Sequence, residues 1–284
     1  MDSYDVLALG RSSIDLYANE IGAPFSEVKS FSAYVGGSPT NIVVGARRLG
    51  LRAALLTAVG EDHVGDFVLD FLAREGVEAS FSPRKAGRRT SAFMLAIQPP
   101  DQFSIVPYRD NCADLELTIE DVRAAPVAIS RALLVTGSGL SREPSRAATR
   151  FAAETARANG RKVVLDLDVR AELWPDPREY AAQVRALLPL VDVVLGTAEE
   201  FEAALGGGVG GRACATAEPP RPSCDLRGGA DELLGAGPEA LVVKRGAGST
   251  FVFPRGGEVV EAESFPVEVL NVHGAGDAFA GGFL

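Results

Sequence analysis

Short aliphatic runs alternate with amphipathic stretches along most of this chain. Val6 to Leu9, Arg131 to Thr136, Lys162 to Asp166, Val191 to Leu195 and Ala240 to Lys244 are almost uninterrupted apolar segments. Such runs mark strands buried on both faces. Ala53 to Val59 predicts one more. Between them the apolar spacing is helical. Asn41 to Leu49 is stopped by Gly50, and Val64, Phe67, Val68, Phe71 and Leu72 form a stripe closed by Gly76. Pro144 opens a long Ala/Arg helix that ends at Asn159-Gly160. Strand and helix in quick succession predict βαβ units, hence an α/β fold with a mostly parallel sheet.

Three stretches depart from that rhythm. Lys29 to Val35 alternates like a half-exposed strand. Ser91 to Ile97 and Phe103 to Tyr108 are strand-like runs joined by Gln98-Pro-Pro-Asp-Gln102, which has turn chemistry. Together these segments, near 11–36 and 88–110, predict a small β-sheet over the main body. Phe31, Tyr34, Phe93, Leu95, Phe103 and Ile105 cannot all be buried in one α/β core, so a homodimer through this sheet is expected. Residues 206–230, rich in Gly and Pro, predict a long flexible insertion. A hairpin is expected from Ser249 to Pro254 and Glu258 to Glu263.

The 284 residues, 46% of them hydrophobic, suffice for one large domain over 1–284. A net charge of −10 argues against non-specific nucleic-acid binding. Met1 lacks a basic n-region with an apolar core, and no apolar run approaches the roughly 18 residues a membrane span needs. Neither secretion nor membrane insertion is expected. Cys112, Cys214 and Cys224 lack metal-ligand spacing and read as reduced thiols of a cytoplasmic protein. The absence of a Gly-Lys dipeptide excludes a P-loop. Gly10 is not followed by the glycines of a dinucleotide turn.

The chemistry concentrates at the end of the chain. A β-branched run (Val267, Val269, Val272) leads into Gly274-Ala275-Gly276-Asp277, then into residues of helical character. Glycines between a strand and a helix let several N–H groups face one point, and the helix dipole completes an anion site. Asp277 beside that site is either a helix cap or the base of a phosphoryl transfer to an alcohol. Asp166, Asp168 and Arg170 follow a strand, where open α/β sheets bind ligands. Tyr108-Arg109 reads either as part of a solvated loop or as a holder of a carboxylate or keto oxygen. Lys244-Arg-Gly246-Ala-Gly248 fits close approach to nucleotide phosphates, or a plain turn into the hairpin.

Gly274-Ala-Gly-Asp-Ala-Phe-Ala-Gly-Gly-Phe283 resembles the C-terminal signature of the ribokinase-like sugar kinases, the PfkB family. Gly36-Gly37-Ser-Pro-Thr-Asn41 resembles its N-terminal signature. The resemblance covers essentially the whole chain. It implies a three-layer α/β/α fold with a β-sheet lid, ATP and Mg2+ as cofactors, and Asp277 as catalytic base beside Gly274, Ala275 and Gly276. It also implies sugar binding by Asp15, Gly36, Gly37 and Asn41. Lys244, Gly246, Gly248 and Glu199 would serve the nucleotide, with Glu199 organising the metal through water. Gly196 stands where the family has asparagine. Asn271-Val272-His273 replaces the usual Asp-Thr-Thr or Asp-Thr-Ser, which leaves a potassium site open. Family members continue for a few more helices after the position of Leu284.

Tyr108 to Asp114, Asp166-Leu-Asp168-x-Arg170 and Gly196-Thr-x-Glu199-Glu200 resemble the branch acting on 5-dehydro-2-deoxygluconate in inositol catabolism. Arg109 and Arg170 would then hold the substrate carboxylate, with Tyr108 and Asp168 beside them. 2-Dehydro-3-deoxygluconate kinases and fructokinases are the alternatives, and a non-catalytic sugar-acid-binding protein is the reading from another class.

Overall fold

The computed structural model describes residues 4–98, 102–207, 226–269 and 272–284. The first half runs through β1 (Val6–Leu9), β2 (Ser13–Ala18), β3 (Phe31–Gly36), α1 (Ser38–Arg48), β4 (Ala53–Leu56), β5 (Val59–Gly60) and α2 (His63–Glu75). There follow β6 (Arg84–Lys85), β7 (Ser91–Gln98), β8 (Gln102–Tyr108), α3 (Ile119–Ala124), β9 (Ala132–Thr136), α4 (Ser145–Ala158) and β10 (Lys162–Asp166). The chain continues through α5 (Pro177–Leu187), β11 (Val193–Thr197), α6 (Ala198–Ala204), α7 (Leu226–Gly235) and β12 (Ala240–Lys244). It ends with β13 (Thr250–Pro254), β14 (Val260–Ala262) and α8 (Ala275–Phe283).

The main sheet has the order β14-β13-β12-β11-β10-β9-β1-β4. From β4 to β12 every neighbour is parallel, and β13 and β14 return antiparallel at one edge. The continuous apolar strands are explained by cover on both faces. Leu7 and Leu9 of β1 join a core with α4, α5, α6 and α7, while Val6 and Ala8 join a second core with α1, α2 and α8. All C-terminal ends of the parallel strands therefore open onto one edge, where the candidate residues lie.

The lid is a second sheet of order β3-β2-β7-β8. Asp15 stands opposite Tyr34 on one side and Phe93 on the other, and Ser13 opposite Gly36 and Ser91. Because side chains alternate across a strand, Ser13, Asp15, Gly36 and Phe93 share one face. Two carboxylates tie the lid to the core. Asp62 caps α2 by accepting from the Gly65 N–H at 2.8 Å, and also accepts from the Thr90 N–H and hydroxyl at 2.8 and 2.7 Å. Asp114 accepts from Ser91 and from Arg109.

Several boundaries differ from the sequence reading. α1 begins at Ser38 rather than Asn41, because Pro39 in the first turn needs no helical acceptor. Residues 226–230, read as part of the flexible insertion, belong to α7. The rest of that insertion, 208–225 with Cys214 and Cys224, lies outside the described residues, as do 99–101 of the β7–β8 loop. Leu95 is buried, whereas Tyr34 and Ile105 remain 55% and 45% exposed on the lid.

Candidate active site

Asp277 is the third residue of α8, not its cap. Gly274 holds the N-cap position in the left-handed region at φ 79° and makes no side-chain cap. The carboxylate is instead pinned from another helix, Oδ2 accepting from Asn41 Nδ2 at 2.8 Å. The two helices approach closely enough for this because both are glycine-lined. A Cβ on Gly281 would lie 2.8 Å from the Ile42 carbonyl. Burial raises the Asp277 pKa above the ordinary carboxylate value; the Asn41 hydrogen bond opposes it. The Ala275 N–H turns back onto the Val272 carbonyl at 3.2 Å. Gly276 follows it in the first turn of the helix, where N–H groups lack an intrahelical acceptor. A Cβ on Gly276 would sit 3.4 Å from Lys244 Nζ, so the ammonium lies against this turn.

Lys244 ends β12 and reaches across β11 to Asp166, Nζ to Oδ2 3.2 Å, with both residues buried. Burial pushes the Asp166 carboxyl up to about 7, with Lys244 pulling the other way. Burial alone would lower the Lys244 pKa, but Asp166, Glu200 and Asp277 raise it, so the ammonium stays charged. Gly246, at φ 56°, and Gly248 form a turn just beyond, on the same edge of the sheet.

The glycine pair after β3 has a steric cause. A Cβ on Gly36 would fall 1.9 Å from Asp15 Oδ2, and one on Gly37 2.3 Å from the Arg11 carbonyl. The signature thus clears space for a buried carboxylate and for the backbone beside it. Asp168 lies at φ 34°, a conformation most side chains avoid. It is held there by the Ser138 hydroxyl on Oδ2 at 2.6 Å and Arg170 on Oδ1 at 2.8 Å. Tyr180 donates to the Leu167 carbonyl at 2.9 Å and Glu200 accepts from the Val169 N–H at 3.1 Å. At Gly196 the Leu167 side chain fills the space beside the backbone, a Cβ there meeting Leu167 Cδ1 at 2.7 Å.

Most of the residues singled out in the sequence therefore converge on one crevice between the sheet edge and the lid. Three do not behave as expected. Tyr108 is opposite Ala92 in the ladder, on the lid face away from Asp15, and is 57% exposed. Glu199 points to solvent from the first turn of α6. The neighbouring Glu200 turns inward instead, closing a capping box with Thr197. Arg109 is not open to a ligand: its Nε and Nη2 donate to Asp114 Oδ2 at 3.0 and 2.5 Å. Arg11 was overlooked. It lies two residues past the end of β1, is 9% exposed, and stacks on Phe93 at 4.3 Å. The strand-end rule that selected Asp168 and Arg170 applies to it equally.

Comparison with known proteins agrees with this geometry. The pfkB family carbohydrate kinase profile matches residues 4–284. A 5-dehydro-2-deoxygluconokinase of Halalkalibacterium halodurans is 35% identical over 286 residues, covering 99% of this chain and 81% of the relative. Among solved structures, a PfkB protein from Polaromonas sp. JS666 is 26% identical with a TM-score of 0.83, over 99% of this chain and 87% of that one. Fructokinase from Xylella fastidiosa with bound ATP is 25% identical with a TM-score of 0.82, over 98% and 80%. The chain belongs to the pfkB family of carbohydrate kinases and is a sugar kinase with the ribokinase-like α/β fold.

Proposed function

We propose that this kinase transfers the terminal phosphoryl group of ATP to a terminal hydroxyl of a keto-deoxy sugar acid, with 5-dehydro-2-deoxy-D-gluconate as substrate. The observation that carries the chemistry is the placement of Asp277. Its carboxylate is fixed by Asn41 beside the N-terminus of α8, and Lys244 stands against the same turn. Asp277 accepts the proton of the attacking hydroxyl, and its raised pKa makes it a better acceptor than an exposed carboxylate. The Gly276 N–H and the Lys244 ammonium take up charge on the transferred group. Positioning and electrostatics supply most of the rate, as expected for phosphoryl transfer.

ATP with Mg2+ supplies the activated phosphoryl group. The residues fit its phosphates: a helix N-terminus, a buried ammonium and the Gly246–Gly248 turn share one edge. Among the described residues no three His, Cys, Asp or Glu side chains form a metal cage. That fits an ion delivered on the nucleotide and held through water. Glu200, facing inward, suits this task better than the exposed Glu199. Asp15 and Asp168 accept substrate hydroxyls from opposite sides of the crevice. The lid, with Tyr34 and Ile105 exposed, pairs with a second copy. Light scattering that gives a monomer at micromolar concentration would remove that part of the reading.

The substrate class follows from the arginines at this crevice, because a guanidinium binds a carboxylate in a fork a neutral hexose cannot use. A coupled ADP-release assay over sugar acids and neutral hexoses tests it. Turnover is expected on 5-dehydro-2-deoxy-D-gluconate in preference to D-fructose and 2-dehydro-3-deoxy-D-gluconate. Preference for fructose would reject the acid. Binding of the acid with no ADP release would leave a binding protein.

A further inference from the structure

We propose that Arg11 is the guanidinium that takes the substrate carboxylate, and that Arg109 belongs to the framework of the lid. The proposal rests on the sugar-acid reading and names the residue that gives it specificity. A buried charge is costly unless it is paired, so the pairing of each arginine around the crevice is informative. Arg109 is satisfied: Asp114, itself 1% exposed in its side chain, accepts from both Nε and Nη2. Asp114 also accepts from Ser91 at the start of β7, so the Arg109 side chain fastens a lid strand. Arg170 is bound at 2.8 Å to Asp168.

Arg11 differs. It is as deeply buried as Arg109, yet among the described residues it forms no ion pair. Its hydrogen bond is from Nη1 to Ser13 Oγ at 3.1 Å. Ser13 in turn donates to Asp15 Oδ1 at 2.8 Å, so the nearest carboxylate stands one hydroxyl away. Phe93 of the lid stacks on the guanidinium at 4.3 Å, which covers one face and fixes the plane of the fork. The Arg11 carbonyl is held by Thr40 Oγ1 at 3.2 Å, and Gly37 leaves it room. The side chain is thus oriented from two directions without its charge being consumed.

The Arg11–Ser13–Asp15 chain also has the polarity a sugar acid requires. A cationic fork and a hydroxyl-accepting carboxylate lie side by side on one face, bridged by Ser13. A ligand with a carboxylate at one end and hydroxyls along its chain meets both at once. A neutral hexose offers the fork only hydroxyl oxygens.

Steady-state kinetics of the wild type, R11M, R11K and R109M on 5-dehydro-2-deoxy-D-gluconate and on D-fructose test the proposal, with the melting temperature of each variant. R11M is expected to raise KM for the acid roughly 10- to 100-fold, the size of a lost charge-assisted hydrogen bond, with little change for fructose. R11K, which keeps the charge but not the fork, should recover part of the affinity. R109M should lower the melting temperature and weaken both substrates alike. Equal losses on both substrates in R11M, or an acid-selective loss confined to R109M, would overturn it. If R11M does not fold, R11K decides: a selective rise of about tenfold in KM for the acid supports the fork, and an unchanged KM ratio overturns it. A wild type that prefers fructose removes the sugar-acid reading itself. One that prefers the acid while R11M keeps the preference removes Arg11 alone.

Discussion

Lys244–Asp166 and Arg109–Asp114 are both buried ion pairs beside the crevice, built on different ground. The first joins the ends of two central strands beneath the N-terminus of α8. The second joins the loop after β8 to a short segment at the foot of the lid. The sheet-borne pair leaves its charge available: Lys244 faces Gly276 and its partner carboxyl is pushed up to about 7. The lid-borne pair is closed on itself, with Ser91 completing it. A buried pair therefore marks chemistry where desolvation leaves one partner imperfectly compensated, and marks architecture where hydrogen bonds saturate both.

The largest effect expected at the sheet end comes from Asp277→Asn. It preserves volume, and because Asp277 is not the helix cap, stability should hardly change. kcat should fall on the order of 10²–10⁴-fold, the usual worth of a general base. In the wild type, kcat/KM should rise through an acid limb with its midpoint above the ordinary carboxylate value of about 4, because the Asp277 pKa is raised. An Asp277→Asn enzyme with wild-type kcat would return the residue to a structural role.

Lys244→Met tests the incompletely compensated pair. It leaves Asp166 buried without a counter-charge, a loss of roughly 3–5 kcal/mol when the carboxylate is ionised. The pH dependence has a definite sign. With Lys244 in place the folded carboxyl holds its proton up to about 7, and losing the ammonium raises it further, whereas the unfolded chain releases it near the ordinary value of 3.8. That contribution to stability is full below the unfolded value and disappears as pH rises through the folded one. The melting temperature of Lys244→Met should therefore fall on the order of 10 °C at pH 8 and far less at pH 5. An equal drop at both pH values would mean that packing, not charge, is what the substitution removes.

The ease of reading these regions from sequence differs for the same physical reason. The strands of the main sheet are continuous apolar runs because helices cover both faces, and β1, β9, β10 and β12 were visible at once. Asp277 and the Gly36-Gly37 pair were visible because steric and electrostatic demands admit few residue types there. The choice between Glu199 and Glu200 depends on a phase of one residue. The Thr197-x-x-Glu200 capping box was the available signal, since it fixes which glutamate turns back over the helix start. The pairing of Arg109 with Asp114 was not legible, because Asp114 lies around a turn that no periodicity describes. Arg11 was not legible because an arginine after a strand is common, and what sets it apart is burial without an ion pair among the described residues.

The smallest effect expected concerns the other attachment of the lid. Asp62 caps α2 and holds Thr90, the residue before β7. Burial raises its pKa, but the Thr90 and Gly65 hydrogen bonds outweigh this and leave it lowered. A lowered carboxylate contributes stability above its unfolded pKa, near 4, and loses it as pH falls through the folded value. Asp62→Ala should cost about 1 kcal/mol at neutral pH, the usual value of a helix cap, or about 2–4 °C in melting temperature. Asp62→Asn should retain the cap on Gly65 but lose the Thr90 N–H bond, because its amide nitrogen cannot accept, and so should fall between the wild type and Asp62→Ala. The deficit of the alanine variant should shrink below pH 4. In catalysis, KM for the sugar should rise as the lid loosens, while kcat at saturation holds. If Asp62→Ala instead lowered kcat and left KM alone, the lid would take part in the chemical step, and the division between sheet and lid would have to be redrawn.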